Sequence, residues 1–593
     1  LLGAFLPYIE LNDPTKSRPV PGWHRRYWFA AVFLLASTAS FVVWQNSQIA
    51  VLWDLSYLLD TSWRIALGQV PYRDFPLVHA PLTFLIQAAI MRIAGRHYFL
   101  QIGYAALLGG LGTVLTWRIL LRTLWDRIDA AWSVSLLLAA PLIFLGIYSV
   151  YPHPIYDPDC VFAVLFGLLL LQRHQVGGRT KTGGLLTGAA LVLPMLFKQN
   201  IGLPFLLAVV GGIVLTLAAN RFRRESTADA AGLPWILLGI GLGLGAALAL
   251  LQGLAGLSNY YRWTIQFAAQ RRLPGMGMVL AEFREPTLIW MLASVGLGAG
   301  LLAMPGDWQI IRRRWVQVLA FLMLAAPMLG SLIFLFLNRD REDRSDNLLA
   351  LWPLVLILAA TVALFELRKG ITVARLMPFF VLAAIQGTLL SQSLYGSTYA
   401  VWPLFFILIA QMLAVIPVAK LAYRKFVSGF VPCLAAVTSV TFLVCGGLYA
   451  VAHERMDYIV VPEGPVVRAT LPALRGMADR GPYLPEFEEL VRFAESEIPE
   501  QDSILILPGE DPFYFATGRE PQFPVLLFDP TTDPYSAGEL MEEARKRNLR
   551  WIIVKTHQQS TDDQMPEKEQ TLELVQREFS LVKRLTGYEI YRR

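Results

Sequence analysis

The residues best suited to chemistry sit in short polar segments between long apolar runs. The first reads Trp53-Asp54-Leu55-Ser56-Tyr57, then Trp63-Arg64, Gly68 and Pro71-Tyr72-Arg73-Asp74-Phe75. An acid just beyond an apolar run lies at the membrane surface, where water and a lipid headgroup both reach it. Asp54 and Asp60 fall on different helical faces, and Asp54 is nearer the end of the run. The second segment, Tyr156-Asp157-Pro158-Asp159 preceded by His153, sets two acids close together, an arrangement open to binding a metal, positioning an acceptor or capping the next helix. Asp159, directly before an apolar run, is placed to cap a helix; Asp157 has no such structural task. The third, Lys198-Gln199-Asn200, interrupts two apolar runs. Its lysine must snorkel or find an anion, and a lipid phosphate is the obvious partner. The fourth crowds Arg341, Arg344 and Asp346 together. Each has a plainer reading: acids that cap surface helices, and bases that anchor helix ends at a membrane interface.

Those segments need a scaffold, and composition says which. The chain has 593 residues, is 55% hydrophobic and only 16% charged, against about 25% charged in soluble domains. Several apolar runs exceed the ~18 residues that mark a spanning helix. The expected architecture is a polytopic α-helical membrane protein of about thirteen spans followed by a soluble α/β domain. The first span is 27–46, read as a signal anchor because no small-residue cleavage site follows it. The others are 98–117, 129–149, 159–172, 183–198, 201–219, 233–253, 284–303, 315–337, 348–366, 376–390, 400–418 and 429–452. Gly241 and Gly245 in 233–253 form a GxxxG, read as close helix packing.

One apolar stretch, 77–95, decides the orientation. If it does not cross, the basic loops Arg118–Arg127, Arg173–Lys181, Arg221–Arg224, Arg312–Arg314, Arg368–Arg375 and Lys420–Lys425 all face the cytoplasm, as the positive-inside rule requires. The stretch opens on His79-Ala80-Pro81 and carries Arg92 and Arg96, which suits an interfacial segment. This gives a cytoplasmic N-terminal segment 1–26, a transmembrane domain 27–452 whose outer loop 47–97 carries interfacial helices, and an extracytoplasmic domain 453–593. The other outer loops are 150–158, 198–200, 254–283, 338–347 and 391–399.

Charge separates the two parts. Residues 453–593 hold 17 Lys and Arg against 26 Asp and Glu, while the rest holds 34 against 19. The basic part is therefore the membrane part, which suits anionic lipid rather than nucleic acid. Cys160, Cys433 and Cys445 all lie in apolar runs, so the tail can build neither a disulfide framework nor a cysteine metal site. In the tail, Ser503–Leu507, Val525–Phe528 and Trp551–Lys555 read as buried strands, and Ala537–Asn548 and Glu567–Phe579 as helices. Leu581–Leu585 and Tyr588–Arg592 read as a closing strand pair. About 140 residues suffice for a core of its own.

Several of these runs resemble the GT-C glycosyltransferases, specifically the bacterial relatives of protein O-mannosyltransferases and aminoarabinose transferases. The resemblance rests first on Asp54-x-x-Tyr57, Gly68-x-x-Pro71-Tyr72-x-Asp74-Phe75 and His79-Ala80-Pro81-Leu82. It is supported by Asp157, by Phe197-Lys198-Gln199-Asn200-x-Gly202 and by Arg344-Ser345-Asp346. In the tail it rests on Asp511-Pro512-x-Tyr514-Phe515-x-Thr517-Gly518-Arg519. Ala80 stands where the family has Gly or Pro, and Asn347 where a near neighbour often has His. The resemblance implies a plasma-membrane hexosyl- or pentosyltransferase with a polyprenyl-phosphate-linked sugar as donor. It implies Asp54 as general base with Asp157 beside it, and Lys198, Arg341 and Arg344 on the donor phosphate. Tyr57, Tyr72, Asp74, His79 and Asp159 are expected in the same cavity. No cofactor is indicated, a divalent metal is left open without being indicated, and the acceptor is a lipid, a glycan or a protein. Positive charge stabilises the leaving phosphate, and such a transfer needs no nucleotide. The rivals are an inactive scaffold within a larger membrane complex and a lipid or solute transporter. A transporter would want charges inside the spans, whereas here the acids sit in loops.

Overall fold

The computed structural model describes residues 25–177, 180–223, 232–272, 275–303, 314–390, 399–416, 424–456, 458–561 and 565–593. Most of the predicted N-terminal segment, and parts of the loops around residues 173–181, 221–224, 312–314, 391–399 and 420–425, lie outside the described residues.

The chain begins with α1 (Arg25–Asn46), α2 (Leu52–Ala66), α3 (Leu82–Ala94), α4 (Tyr98–Leu124), α5 (Ala131–Ala139), α6 (Leu142–Leu145), α7 (Tyr156–Gly177), α8 (Lys181–Phe197) and α9 (Gln199–Arg223). The later long helices are Leu233–Leu254, Pro286–Ala303, Arg314–Leu337, Leu351–Leu367, Val373–Leu389, Trp402–Leu413 and Arg424–Val451. Among the described residues eight helices are long and apolar enough to cross a membrane. The other five predicted spans are helical but shorter, interrupted or more polar. The segment 129–149 divides into α5 and α6 at Ala140-Pro141 because the proline ring cannot continue the α5 ladder. The predicted span 159–172 lies inside the 22-residue α7, with two acids in its first turn. The helices over 183–198, 376–390 and 400–418 have 17, 17 and 12 residues.

In the stretch 47–97, α2 has 15 residues and α3 has 13, below the ~20 a spanning helix needs. They pack on one another, and α3 also meets α7 and α8. The predicted GxxxG face is misplaced by two residues. Cβ atoms at Gly241 and Gly245 would meet nothing, whereas one at Gly239 would fall 2.3 Å from the Leu185 carbonyl and one at Gly188 2.1 Å from that of Ile236. The close approach of α8 to Leu233–Leu254 is therefore made by Gly188 and Gly239.

In the tail, β1 (Val466–Arg468) and β2 (Ala478–Arg480) form an antiparallel pair. The main sheet runs β3 (Ile504–Leu507), β4 (Trp551–Lys555), β6 (Tyr588–Arg592), β5 (Ser580–Arg584). β3 and β4 are parallel and the other neighbours antiparallel. Helices Tyr483–Glu497, Ala537–Lys546 and Lys568–Glu578 accompany it. The predicted strand at Val525–Phe528 is not a strand. Pro521 and Pro524 remove ladder donors, and the segment crosses the end of β3, where the Phe528 amide donates to the Pro508 carbonyl at 2.9 Å.

One cluster of buried residues, with Leu505, Phe523, Phe528 and Leu540, belongs to the tail alone. A second is shared: Leu55, Leu58 and Leu59 of α2 and Phe84 of α3 are buried with Leu484, Phe487, Leu490 and Phe515 of the tail. The helices α2 and α3 thus complete the core of the C-terminal domain.

Candidate functional site

Asp54 lies in the first turn of α2. Tyr151 and Tyr458 each donate a hydroxyl to its Oδ2 at 2.9 Å. Burial pushes this carboxyl above the ordinary aspartate value; the two tyrosine hydrogen bonds oppose that, and repulsion from Asp157 adds to it. The two acids are therefore neighbours in space although more than a hundred residues apart in sequence. Tyr399 stacks on Tyr151 at 5.0 Å between ring centroids and feels both carboxylates.

Asp157, in the first turn of α7, forms an ion pair with Lys198 through Oδ1, and the two side chains are only 4% and 3% exposed. Asp157 Oδ2 is buried without a hydrogen-bond partner. Lys198 sits at the joint between α8 and α9, where its amide still donates to the Pro194 carbonyl at 3.0 Å. The bend is tight: a Cβ at Gly202 would fall 2.2 Å from the Met195 nitrogen. That joint aims the lysine inward, with Nζ 5.0 Å from the centre of the Tyr156 ring. Gln199 holds the segment before α3 beside it, since its Oε1 accepts from the Ala80 amide at 3.1 Å and its Nε2 donates to the Val78 carbonyl at 3.0 Å.

The other expected residues divide. His79 stacks on Tyr156 with 3.9 Å between ring centroids, and Tyr57 Oη lies 3.1 Å from His79 Nδ1. These rings adjoin the Asp157–Lys198 pair through Tyr156. Tyr72 acts on the loop instead, donating to the His79 carbonyl at 2.7 Å from a left-handed backbone (φ 67). Asp74 closes the same turn: its Oδ2 accepts from the Val70 amide at 2.7 Å and its Oδ1 pairs with Arg73 Nε at 2.8 Å. Asp159 does not cap α7. It accepts from Thr83 Oγ1 and from Tyr148 Oη, both at 2.7 Å, and so ties α3 to α7.

Arg341 opens the short helix Arg341–Asp346 and Arg344 lies in its last turn; the helix is capped by Asp340 and packs beside the turn Glu454–Met456 that leads to Tyr458. Arg341 is exposed, and Arg344 Nε donates to the Leu335 carbonyl at 2.9 Å. Neither guanidinium has a hydrogen bond to Asp54, Asp157 or Lys198 among the described residues. Nor do three His, Cys, Asp or Glu side chains gather there as a metal site would need.

The helix carrying Asp54 starts without a cap of its own, since its N-cap residue is Val51. Distant side chains supply the acceptors. The Val51 amide donates to His153 Nε2 at 3.3 Å and the Leu52 amide to Gln559 Oε1 at 2.9 Å. Burial lowers His153 to about 3, which keeps the ring neutral. Its proton then belongs on Nδ1, 3.0 Å from Asn46 Oδ1. Sequence reading missed the roles of Tyr151, Tyr399, Tyr458, His153 and Gln559. The only signal for the three tyrosines was the richness of the polar segments between apolar runs in aromatic residues, and Gln559 left none.

No family model matches the chain, and no curated protein matches it. Among solved structures, the fold is similar to the Archaeoglobus fulgidus oligosaccharyltransferase in complex with zinc and sulfate, at 13% identity and a TM-score of 0.45, over 88% of this chain and 68% of that one. It is also similar to ArnT from Cupriavidus metallidurans bound to undecaprenyl phosphate, at 13% identity and a TM-score of 0.40, over 95% of this chain and 97% of that one.

Proposed function

We propose that the protein is a membrane glycosyltransferase of GT-C type that moves a sugar from a polyprenyl-phosphate donor to an acceptor on the extracytoplasmic side. The observation that carries this reading is the Asp54 carboxylate. It is lifted above its ordinary basicity by burial and held by two tyrosine hydroxyls beside the Asp157–Lys198 pair. A base that must take a proton from an acceptor hydroxyl or amine gains from a raised pKa and a fixed position. In support, Tyr57 and His79 of the first loop adjoin the Asp157–Lys198 pair through Tyr156.

In the proposed reaction the acceptor oxygen or nitrogen attacks the anomeric carbon from the face opposite the phosphate. The bond from that carbon to the phosphate oxygen breaks with inversion, and the acceptor proton passes to Asp54. The leaving group is a polyprenyl monophosphate, whose growing charge needs a cation nearby. Lys198 is the buried cation at hand, and Arg344 and Arg341 lie nearer the surface. Because Lys198 is already paired, a donor phosphate must share it with Asp157 or displace the carboxylate. Asp157 thereby serves as a counter-ion that keeps the lysine aimed while the site is empty.

The test uses purified protein in nanodiscs with defined polyprenyl-phosphate sugars. Mass spectrometry of co-purified lipid selects the donor. Asp54→Asn should cut turnover by about 10²–10⁴ with the protein still folded. Wild-type turnover in that variant ends the assignment.

A further inference from the structure

We propose that Gln559 and Asp479 of the C-terminal domain are positioning residues for Asp54: they grip the first turn of α2 and set where its carboxylate stands. The proposal rests on the reading of Asp54 as the base.

A helix begins with amides that lack partners within the helix, and a residue in the first turn is only as fixed as those amides. Here Ser, Thr, Asp and Asn are absent from the N-cap position, which is Val51. Gln559 does the capping from across the domain boundary. Its Oε1 accepts from the Leu52 amide at 2.9 Å, while its Nε2 donates to the Ala50 carbonyl at 2.8 Å and to Asp479 Oδ2 at 2.5 Å. The Ala50 amide in turn donates to the Asp479 carboxylate. Both side chains are buried, Gln559 at 0% and Asp479 at 1% exposure. Residues 50–52 are thus held by both their donors and an acceptor, two positions before the acid.

The grip has a rigid base. Glu510 receives the Gln559 amide on one oxygen at 3.0 Å and the Ser560 amide on the other at 2.7 Å. Lys555, fully buried, pairs with Glu510 at 2.6 Å and Asp511 at 2.8 Å. Residues 559–561 then pair with 458–460 through Val460 N to Gln559 O and Thr561 N to Tyr458 O. Tyr458 is the residue that donates to Asp54. One small piece of the C-terminal domain therefore delivers both the cap of the helix and a hydrogen bond to the acid. An ordinary domain contact needs neither, and surface apolar packing alone would not fix a carboxylate to within the fraction of an ångström on which attack geometry depends.

The experiment uses the full chain in nanodiscs and three variants. Gln559→Met keeps the side-chain length and removes every side-chain hydrogen bond. Gln559→Glu keeps the acceptor for Leu52 but faces the Asp479 carboxylate. Gln559→Glu combined with Asp479→Asn restores a donor–acceptor pair between the two. Amide exchange of the 49–58 peptide and the rate of carbodiimide modification of Asp54 report position without reference to turnover. We expect both to rise in the Met variant, exchange by about fivefold or more for the loss of one buried hydrogen bond. The kcat should fall about 10- to 100-fold with the donor KM within about twofold, and the double variant should regain part of the loss suffered by Gln559→Glu alone, since Glu still cannot donate to the Ala50 carbonyl. Unchanged exchange and modification would overturn the grip. Faster exchange with unchanged kcat would reduce it to a structural contact. If the wild type transfers no sugar, the glycosyltransferase reading fails, while exchange and modification still decide whether Gln559 fixes Asp54.

Discussion

The buried pair of Asp157 and Lys198 makes a prediction that separates a stabilising role from a catalytic one. Both side chains are almost wholly excluded from solvent, and Asp157 Oδ2 already lacks a partner. Replacing Lys198 by Met strands a buried carboxylate. Loss of one partner from a buried pair costs about 3–5 kcal/mol. Replacing both groups, Lys198→Met with Asp157→Asn, removes the stranded charge and should recover most of that cost, since neutral replacement of a buried pair is often close to free. A double-mutant cycle on equilibrium unfolding in mixed micelles should therefore show a coupling of about 2 kcal/mol or more. Donor binding should behave differently. If Lys198 also meets the donor phosphate, the double variant stays weak for polyprenyl phosphate by about tenfold, roughly 1.4 kcal/mol, although its fold is restored. Additive unfolding energies would refute the pair as a unit. Wild-type donor affinity in the double variant would refute the contact between lysine and phosphate.

Three further expectations concern pH, capping and orientation. Asp54 must be unprotonated to accept a proton and burial raises its pKa, so kcat should fall with decreasing pH from a point above the ordinary carboxylate range; a profile flat down to pH ~4 would contradict it. Asp60 is lifted to about 8 by burial while accepting from the Phe515 amide at 2.7 Å. The folded state then holds a proton that the unfolded chain releases near pH ~4, so this group's contribution to stability is full below pH ~4 and is lost as pH rises through about 8. Asp60→Asn should remove that dependence and keep the cap, whereas Asp60→Ala, leaving two buried amides unpaired, should cost about 1–3 kcal/mol by denaturant titration. For orientation, a cysteine introduced at Pro530 with the exposed Cys433 replaced by Ser should label with a membrane-impermeant reagent in intact cells. Protection there, with labelling at 176–178 instead, would invert the whole topology.

The fold was legible wherever one physical signal acted alone. Long apolar runs without charge became helices within a few residues of the expected bounds, and β4 and β6 fell on the predicted positions. Legibility failed where local signals competed with distant packing. Val525–Phe528 has the apolar composition of a strand, but its partners are the end of β3 and the Pro508 carbonyl. The strands β1 and β2 are three residues each and leave no periodic mark. The helix Tyr483–Glu497 is missing from the sequence expectations although its buried Leu484, Phe487, Leu490, Val491 and Ala494 recur at helical spacing; the acids between them mask the apolar stripe.

The site was legible in its charges and illegible in what aims them. Asp54, Asp157 and Lys198 stand out because a charged side chain beside an apolar run is costly and therefore informative. Tyr151, Tyr458 and Gln559 carry no such cost; a tyrosine in a loop or a glutamine in a polar tail looks like any other. Their importance comes from contacts across about a hundred residues or more, and the largest share comes from the tail. That dependence has a physical root. A short helix whose N-cap is Val51 cannot satisfy its own first amides, and bulk water is excluded there because Leu52 and Trp53 are buried. The acceptors must then come from folded protein, and the C-terminal domain is what packs over that turn. The soluble tail is therefore part of the same site as the membrane helices: without it α2 would lose its cap, Asp54 one of its two hydroxyl partners, and Asp60 the amides it receives.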